Sequence, residues 1–266
     1  MGLSFCSLAS GSSGNCYVVK SGDAAILIDA GISTKKIHDG LESLGVLRSE
    51  IMAVLVTHEH SDHIKALPVL TKKNTDRKIF ASKGTAMNLE DRVSIPENIT
   101  AFTAGDEFEI GPFRVKSFQV SHDSLDPVCY SVSVGDSRAM ILTDTGMVPE
   151  EVRQGLLEAD LIALEANHEV AMLKMGSYPY HLKLRILGDK GHLSNETAGN
   201  LLADIMKTDG RFREVYLAHL SRENNFPALA EQTVKNILEE NGIYTDRHLR
   251  LSVARRDEIS CLTHIG

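Results

Sequence analysis

Residues 53–63 read AVLVTHEHSDH, the end of a continuous apolar run that begins at Ile51. Four to eight apolar residues in a row, rich in β-branched types, fit a strand buried on both faces. His58 and His60 are two apart, so in an extended segment their side chains point the same way. Asp62 and His63 follow on the turn where a helix begins, at spacing that aims them at a second position. Imidazole and carboxylate are ligands for zinc, manganese or iron. Four candidate ligands within six residues exceed what one catalytic ion with open positions can use, so a pair of ions fits better.

Working outward, other strands end in the same way. SFQVS runs into His122, MILT into Asp144, LIAL into Glu165 with Asn167 and His168 just beyond, and VYLA into His219. In layered α/β folds the strand exits gather on one edge, where sites are built. Five exits that each deliver a histidine or a carboxylate are not a product of core packing. Strands are expected at 3–8, 17–20, 24–28, 51–57, 79–82, 99–102, 113–121, 128–134, 139–143, 161–164, 215–218 and 249–253. Helices are expected at 63–73, 149–159, 195–206 and 228–240. No linker, low-complexity tract or quantifiable internal repeat interrupts the chain, so residues 1–266 are expected to form a single domain.

Composition narrows the function classes. The chain has 266 residues and a formal charge of −8, which argues against a general polyanion binder and leaves room for a local basic patch. Its four cysteines are scattered without a CxxC pair and read as reduced thiols. No apolar run reaches the ~18 residues of a membrane span, and the opening residues lack a secretory pattern. A cytoplasmic protein with no membrane partner is expected.

H-x-H-x-D-H after an apolar strand, then an isolated histidine, an aspartate and a late histidine, resembles the metallo-β-lactamase superfamily over nearly the whole chain. The resemblance implies an α/β fold, a four-layer αββα sandwich with two divalent ions (Zn²⁺ or Mn²⁺, with Fe as a further choice) and no other cofactor. One ion would take His58, His60 and His122, the other Asp62, His63 and His219, with Asp144 between them. The aspartate at the bridging position fits the dinuclear hydrolases rather than true β-lactamases. GHLSNETAGNLLADIM, followed by a strand and AHLS, resembles the tRNase Z pattern. There His192 would protonate the leaving oxygen and Glu165 would orient it, so Asp62, Glu165 and His192 form the implied catalytic set. His192 as a plain surface residue before the helix cap at Ser194 stays open.

The interval from His122 to Asp144 has no room for the tRNA-gripping arm of bacterial tRNase Z. That from Asp144 to His192 has none for the extra domain of RNase J. SLASGSSGN, LEANH, SYPYHLKLRI, GHLSN and AHLSRENN are similar to the YycJ (WalJ) group of bacterial metal-dependent exonucleases. That similarity implies 5′→3′ digestion of double-stranded DNA, with DNA favoured over RNA. Candidate substrate contacts are Lys183 and Arg185, Ser194 and Asn195, and Asn224. The Ser10–Asn15 turn and Ser221–Arg222 are further candidates for holding a phosphate. A hydrolase of a small phosphodiester or thioester, an RNA-processing nuclease, and a silent binding module remain as alternatives.

Overall fold

The computed structural model describes residues 2–73 and 77–266. The first half of the chain contains β1 (Leu3–Ala9), β2 (Cys16–Ser21), β3 (Ala24–Ile28), α1 (Thr34–Ser43), β4 (Ile51–Leu55), α2 (Ser61–Ile64), α3 (Leu67–Lys73), β5 (Lys78–Ser82), α4 (Lys83–Leu89) and β6 (Ile99–Phe102). The second contains β7 (Glu107–Ile110), β8 (Phe113–Gln119), β9 (Val128–Val134), β10 (Ser137–Leu142), α5 (Glu150–Glu158), β11 (Leu161–Glu165), α6 (Val170–Met175), α7 (Tyr180–Leu187), α8 (Asn195–Asp209), β12 (Arg213–Ala218), α9 (Pro227–Glu240), β13 (Leu249–Val253) and β14 (Thr263–Ile265).

These strands form two sheets, ordered β14–β1–β2–β3–β4–β5–β6 and β13–β12–β11–β10–β9–β8–β7. Both follow one plan. An antiparallel run ends at β3 in one sheet and β10 in the other, and three parallel strands follow through helical crossovers. The equivalent strands carry matching text, ILIDAG at 26–31 and ILTDTG at 141–146. Both aspartates have left-handed backbone, Asp29 with φ 59° and Asp144 with φ 58°. Both glycines sit where a Cβ has no room, 1.6 Å from the Asp62 carbonyl oxygen at Gly31 and 2.3 Å from the Gly188 oxygen at Gly146. This recurrence is an internal repeat that residue-by-residue reading missed, because only a few positions per copy match.

Three apolar layers hold the sandwich. Between the sheets, Phe5, Tyr17, Ile26, Ile28 and Leu55 meet Phe113, Val115, Tyr130, Val132 and Ile141. Outside the first sheet pack Ile37 and Leu41 of α1, Leu67 and Leu70 of α3, and Leu89 of α4. Outside the second pack Val152 and Leu156 of α5, Leu202 and Ile205 of α8, and Val234 and Leu238 of α9. Each such side chain contributes about 1.5–3 kcal/mol by leaving water. The architecture is the αββα sandwich.

The helix expected over 63–73 is two helices. Ala30 N–H donates to the His63 carbonyl at 2.7 Å, and Ala66 N–H to the Ala30 carbonyl at 2.8 Å. Those bonds divert the backbone to the β3 exit, and Pro68, with no N–H to give, restarts the helix at its first turn. α8 begins at Ser194, whose Oγ accepts the Thr197 N–H at 3.1 Å, and stops at left-handed Gly210. Arg213, wholly buried at the start of β12, donates to the Ala159 and Leu157 carbonyls and, through Nη1 and Nη2, to both oxygens of Asp209 at 2.9 Å each.

Candidate metal centre

The exits of β4, β8, β10, β11 and β12 lie along one edge of the sandwich. β4 hands the chain to His58 and His60, and α2 presents Asp62 and His63. His122 follows β8, Asp144 follows β10, Glu165 ends β11, and His219 follows β12 at φ 55°. Left-handed backbone is uncommon for such residues, and strain of this kind gathers at functional sites.

Two ligand clusters result. In the first, His58 Nε2 lies 3.0 Å from His60 Nδ1, which lies 3.3 Å from His122 Nε2. In the second, Asp62 Oδ2 lies 3.5 Å from His63 Nε2 and 3.6 Å from His219 Nε2. Asp144 stands between them, Oδ2 3.3 Å from His63 Nε2 and Oδ1 3.8 Å from His122 Nε2. Ligand atoms on a tetrahedral zinc with bonds of 2.0–2.1 Å are about 3.3–3.4 Å apart, so both clusters have the right span.

The other ring nitrogens are held from behind. His58 Nδ1 is 3.0 Å from the Thr57 hydroxyl, His63 Nδ1 is 2.7 Å from Asp29 Oδ2, and His219 Nδ1 is 2.9 Å from Glu165 Oε1. His122 Nδ1–H donates to the Gly191 carbonyl at 3.2 Å. Such partners fix the tautomer and leave Nε2 to ligate. His60 is the exception and presents Nδ1.

Electrostatics fits the same assignment. Asp144 Oδ2 and His219 Nε2 are buried and have no hydrogen-bond partner among the described residues. Burial opposes charge on His63, yet Asp29 and Asp144 outweigh it and push its pKa well above the ordinary value. His219 likewise rises to about 10 against burial, driven first by Asp144 and then by Asp62 and Glu165. His58 is pushed well down by burial first and then by His63, His122 and His60, which outweigh the opposing pull of Asp62. The carboxylates thus call for positive charge at the second cluster, as divalent cations would supply.

Residues 24–220 match the family described as the β-lactamase superfamily domain. The chain belongs to the metallo-β-lactamase superfamily. Within it, the chain is 39% identical to exodeoxyribonuclease YycJ of Bacillus anthracis over 91% of each chain. It is 35% identical to exodeoxyribonuclease WalJ of Streptococcus pneumoniae over 100% of this chain and 99% of that one. The solved metallo-β-lactamase fold protein YhfI of Bacillus subtilis superposes with a TM-score of 0.72 at 14% identity, covering 97% of this chain and 99% of that one. Human tRNase Z, short form, gives 0.64 at 16%, covering 98% and 99%. No helix among the described residues is long and apolar enough to cross a membrane.

Beside the superfamily's metal edge, His192 Nδ1 lies 2.7 Å from Glu165 Oε1, and its ring stands between those of His122 and His219. Glu165 is fully buried; its Oε2 accepts the N–H groups of Thr145 and Leu193 at 3.1 Å each. Burial raises the Glu165 pKa, but His192 and His219 reverse the shift and hold the carboxylate ionised.

The substrate-contact candidates have other partners in the structure. Lys183 Nζ donates to the carbonyls of Lys174 and Gly176 and closes the α6–α7 turn. Arg185 pairs with Asp123, whose other oxygen lies 3.4 Å from His122 Nε2. Ser194 is the α8 cap. Asn195 and Asn225 exchange amide hydrogen bonds in the interior, and Asn224 is buried with its amide against the Ser221 hydroxyl. His168 is buried, neither ring nitrogen has a hydrogen-bond partner among the described residues, and burial brings its pKa to about 4. One residue escaped sequence reading, and another was read only as the end of a phosphate-holding turn. Asp29 stands behind His63, and Asn15 Nδ2 reaches to 3.2 Å from His63 Nε2. AILI running into Asp29 is a sixth strand exit of the same kind as the other five.

Proposed function

We propose that the protein is a dinuclear metal-dependent phosphodiesterase that digests nucleic acid, working 5′→3′ on double-stranded DNA. The observation that carries this reading is the pair of ligand clusters joined by Asp144 with the Glu165–His192 pair alongside. The similarity to two exodeoxyribonucleases over nearly their whole lengths supports nuclease chemistry. His58, His60 and His122 would hold one ion, Asp62, His63 and His219 the other, and Asp144 would contact both. Divalent ions held there, Zn²⁺ or Mn²⁺, would neutralise phosphate oxygens and lower the pKa of water.

The chain's own residues do the rest. His192, with Nδ1 turned to Glu165, holds a proton on Nε2 for the departing oxygen of the cleaved ester, which leaves poorly as an alkoxide. Glu165 orients that ring through the 2.7 Å contact to Nδ1. Lys183 on α7 keeps a positive charge that no carboxylate takes up among the described residues, whereas the charge of Arg185 is answered by Asp123. The cytoplasm, with reduced thiols and DNA at hand, is the setting that suits this activity.

The test is a time course on 5′- and 3′-labelled duplex DNA and matching RNA with Mn²⁺ or Zn²⁺, using Asp144→Ala as the blank. Mononucleotides released first from the 5′ end of DNA, and absent from the blank, are expected. Turnover of bis-p-nitrophenyl phosphate with no polymer digestion would move the substrate to a small diester.

A further inference from the structure

The loop Ser10–Asn15 is fastened to the metal centre at both ends. Ser10 Oγ accepts the His219 N–H at 2.8 Å. Asn15 N–H donates to the Asp62 carbonyl at 2.8 Å, and its side chain reaches His63. Only Gly11–Gly14 lie between, so the tip of the loop stands beside the metal ligands. Within the loop, Gly14 N–H returns to the Gly11 carbonyl at 3.0 Å and Gly11 N–H to Asn15 Oδ1 at 2.9 Å. The N–H groups of Ser12 and Ser13 have no protein acceptor among the described residues. Adjacent free backbone N–H groups are the makings of an anion site.

Arg256 lies on that tip. Its Nη1 donates to Ser13 Oγ at 3.1 Å, and its Nη2 to the carbonyl of Leu220, the residue after His219, at 3.0 Å. Both acceptors are neutral, so no carboxylate answers the charge directly. A Cβ on Gly11 would fall 3.3 Å from the Arg256 Cζ, so the glycine lets the guanidinium lie flat against the loop. Burial, helped by Arg222 and opposed by Asp257 and Glu223, holds the Arg256 pKa below the ordinary arginine value. Arg222, exposed and three residues past His219, makes no hydrogen bond or ion pair among the described residues. The nearby acids are mostly engaged elsewhere, Asp257 with Lys36 at 2.9 Å and Glu258 with Arg255 at 2.7 Å, while Glu223 stays exposed.

Arg222 and Arg256 line a cleft of about 150 Å³ with Ser10, Ser221 and the half-exposed Phe226 on its walls, and Arg256 links it to Ser13 at the loop tip. At about 30 Å³ per water it has room for about five waters, the scale of a hydrated phosphate and too little for a base pair. A chain of net charge −8 repels polyanions at long range, so contacts to a phosphate backbone have to be local. Arg222 and Arg256 are cations at the rim of the metal centre that no carboxylate neutralises by direct contact. We infer that this cleft is a phosphate subsite: Arg222, Arg256 and the Ser12–Ser13 amides grip one phosphate group of the polynucleotide, next along the strand from the bond that is cut. Phe226 offers its ring to the adjoining base. The phosphate is a terminal monoester or a backbone diester. This rests on the proposed action on nucleic acid.

The experiment measures binding apart from cleavage. Anisotropy of a fluorescein-labelled phosphorothioate oligonucleotide is followed across a range of salt, with either a 5′-phosphate or a 5′-hydroxyl. Arg222→Ala removes a charge that has no partner to lose, and Arg256→Gln keeps an amide donor toward Ser13 and Leu220. Each substitution is expected to weaken binding about tenfold and to make the salt dependence shallower by about one unit. Its loss in kcat/KM on DNA is expected to exceed any loss on bis-p-nitrophenyl phosphate. A loss confined to the 5′-phosphorylated strand assigns the terminal monoester; an equal loss on both strands assigns the backbone. Unchanged affinity and salt slope in both variants, with DNA still digested, overturn the subsite. Arginine-dependent binding without digestion of any nucleic acid leaves the subsite standing and removes the nuclease reading. A wild type that binds no oligonucleotide overturns both.

Discussion

Nδ1 of His63 lies 2.7 Å from Oδ2 of Asp29, and neither side chain has exposed surface. Asp29 also takes the Thr57 N–H at 2.9 Å and the Thr57 hydroxyl at 3.0 Å. A carboxylate in this position keeps the proton on Nδ1 and aims Nε2 at the second cluster. It ties that ligand to the strand exit that carries His58.

Asp29→Asn is therefore expected to weaken metal binding at the Asp62–His63–His219 cluster by about 10- to 100-fold while the protein still folds. Competition against a chromophoric chelator, read beside far-ultraviolet circular dichroism, checks this. An affinity equal to wild type would show that the carboxylate only packs.

His192 and Glu165 predict different losses. His192→Ala is expected to lower kcat by about 10²- to 10⁴-fold with metal content close to wild type. Glu165→Gln is expected to lower both, because Oε1 also holds His219 at 2.9 Å. Metal analysis beside steady-state kinetics separates the two patterns, and equal loss of metal and rate in His192→Ala removes the proton-donor role.

Metal removal has a stability consequence. Asp29, Asp62, Asp144 and Glu165 are gathered at one edge, and cations that bind only the folded state add to its stability. Returning Zn²⁺ or Mn²⁺ to stripped protein at a hundred times Kd is worth about 2.7 kcal/mol. At about 2–4 °C per kcal/mol for a chain of this size, Tm is expected to rise by about 5–10 °C. Calorimetry of stripped and reloaded protein reads it; an unchanged Tm would mean that the clusters hold no ion.

Away from the site, Asp209→Asn is expected to cost about 1–3 kcal/mol, because the wholly buried Arg213 keeps its charge and loses its only carboxylate among the described residues. Hydrogen bonds from Arg213 hold the Asp209 carboxyl below its usual range. The folded-state pKa is depressed, so this stability is present above the ordinary aspartate value of about 3.9 and fades as pH falls through the folded-state value. Urea unfolding at pH 7 and near pH 2.5 should show the gap between wild type and variant closing at the lower pH. A gap of the same size at both would contradict the assignment.

The strand exits were legible in sequence because each couples an apolar run to an abrupt polar residue. His58, Asp144, Glu165 and His219 announce themselves in that way. Asp29 does so too, but its following Ala-Gly reads equally well as an ordinary turn. α7 gave no periodic signal since none of its residues is buried, and β14 is three residues long, recognisable only by its pairing with β1. Long-range side-chain partners were out of reach: Asn195 and Asn224 look like ligand-facing amides in the sequence, yet Asn195 is bonded to Asn225 and Glu169 and Asn224 is turned to the Ser221 hydroxyl.

The repeated sheet plan places half of each ligand cluster on either side of a seam. His58, His60, Asp62 and His63 come from the first sheet's edge, and His122, Asp144 and His219 from the second's. Neither half-chain carries all the residues of either cluster, and the Glu165–His192 pair lies wholly in the later half. A ribosome must finish both copies of the plan, and the copies must close on each other, before the edge can grip a cation. Metal capture is thus a clasp on the finished sandwich, and a partly folded chain has no means of cutting anything.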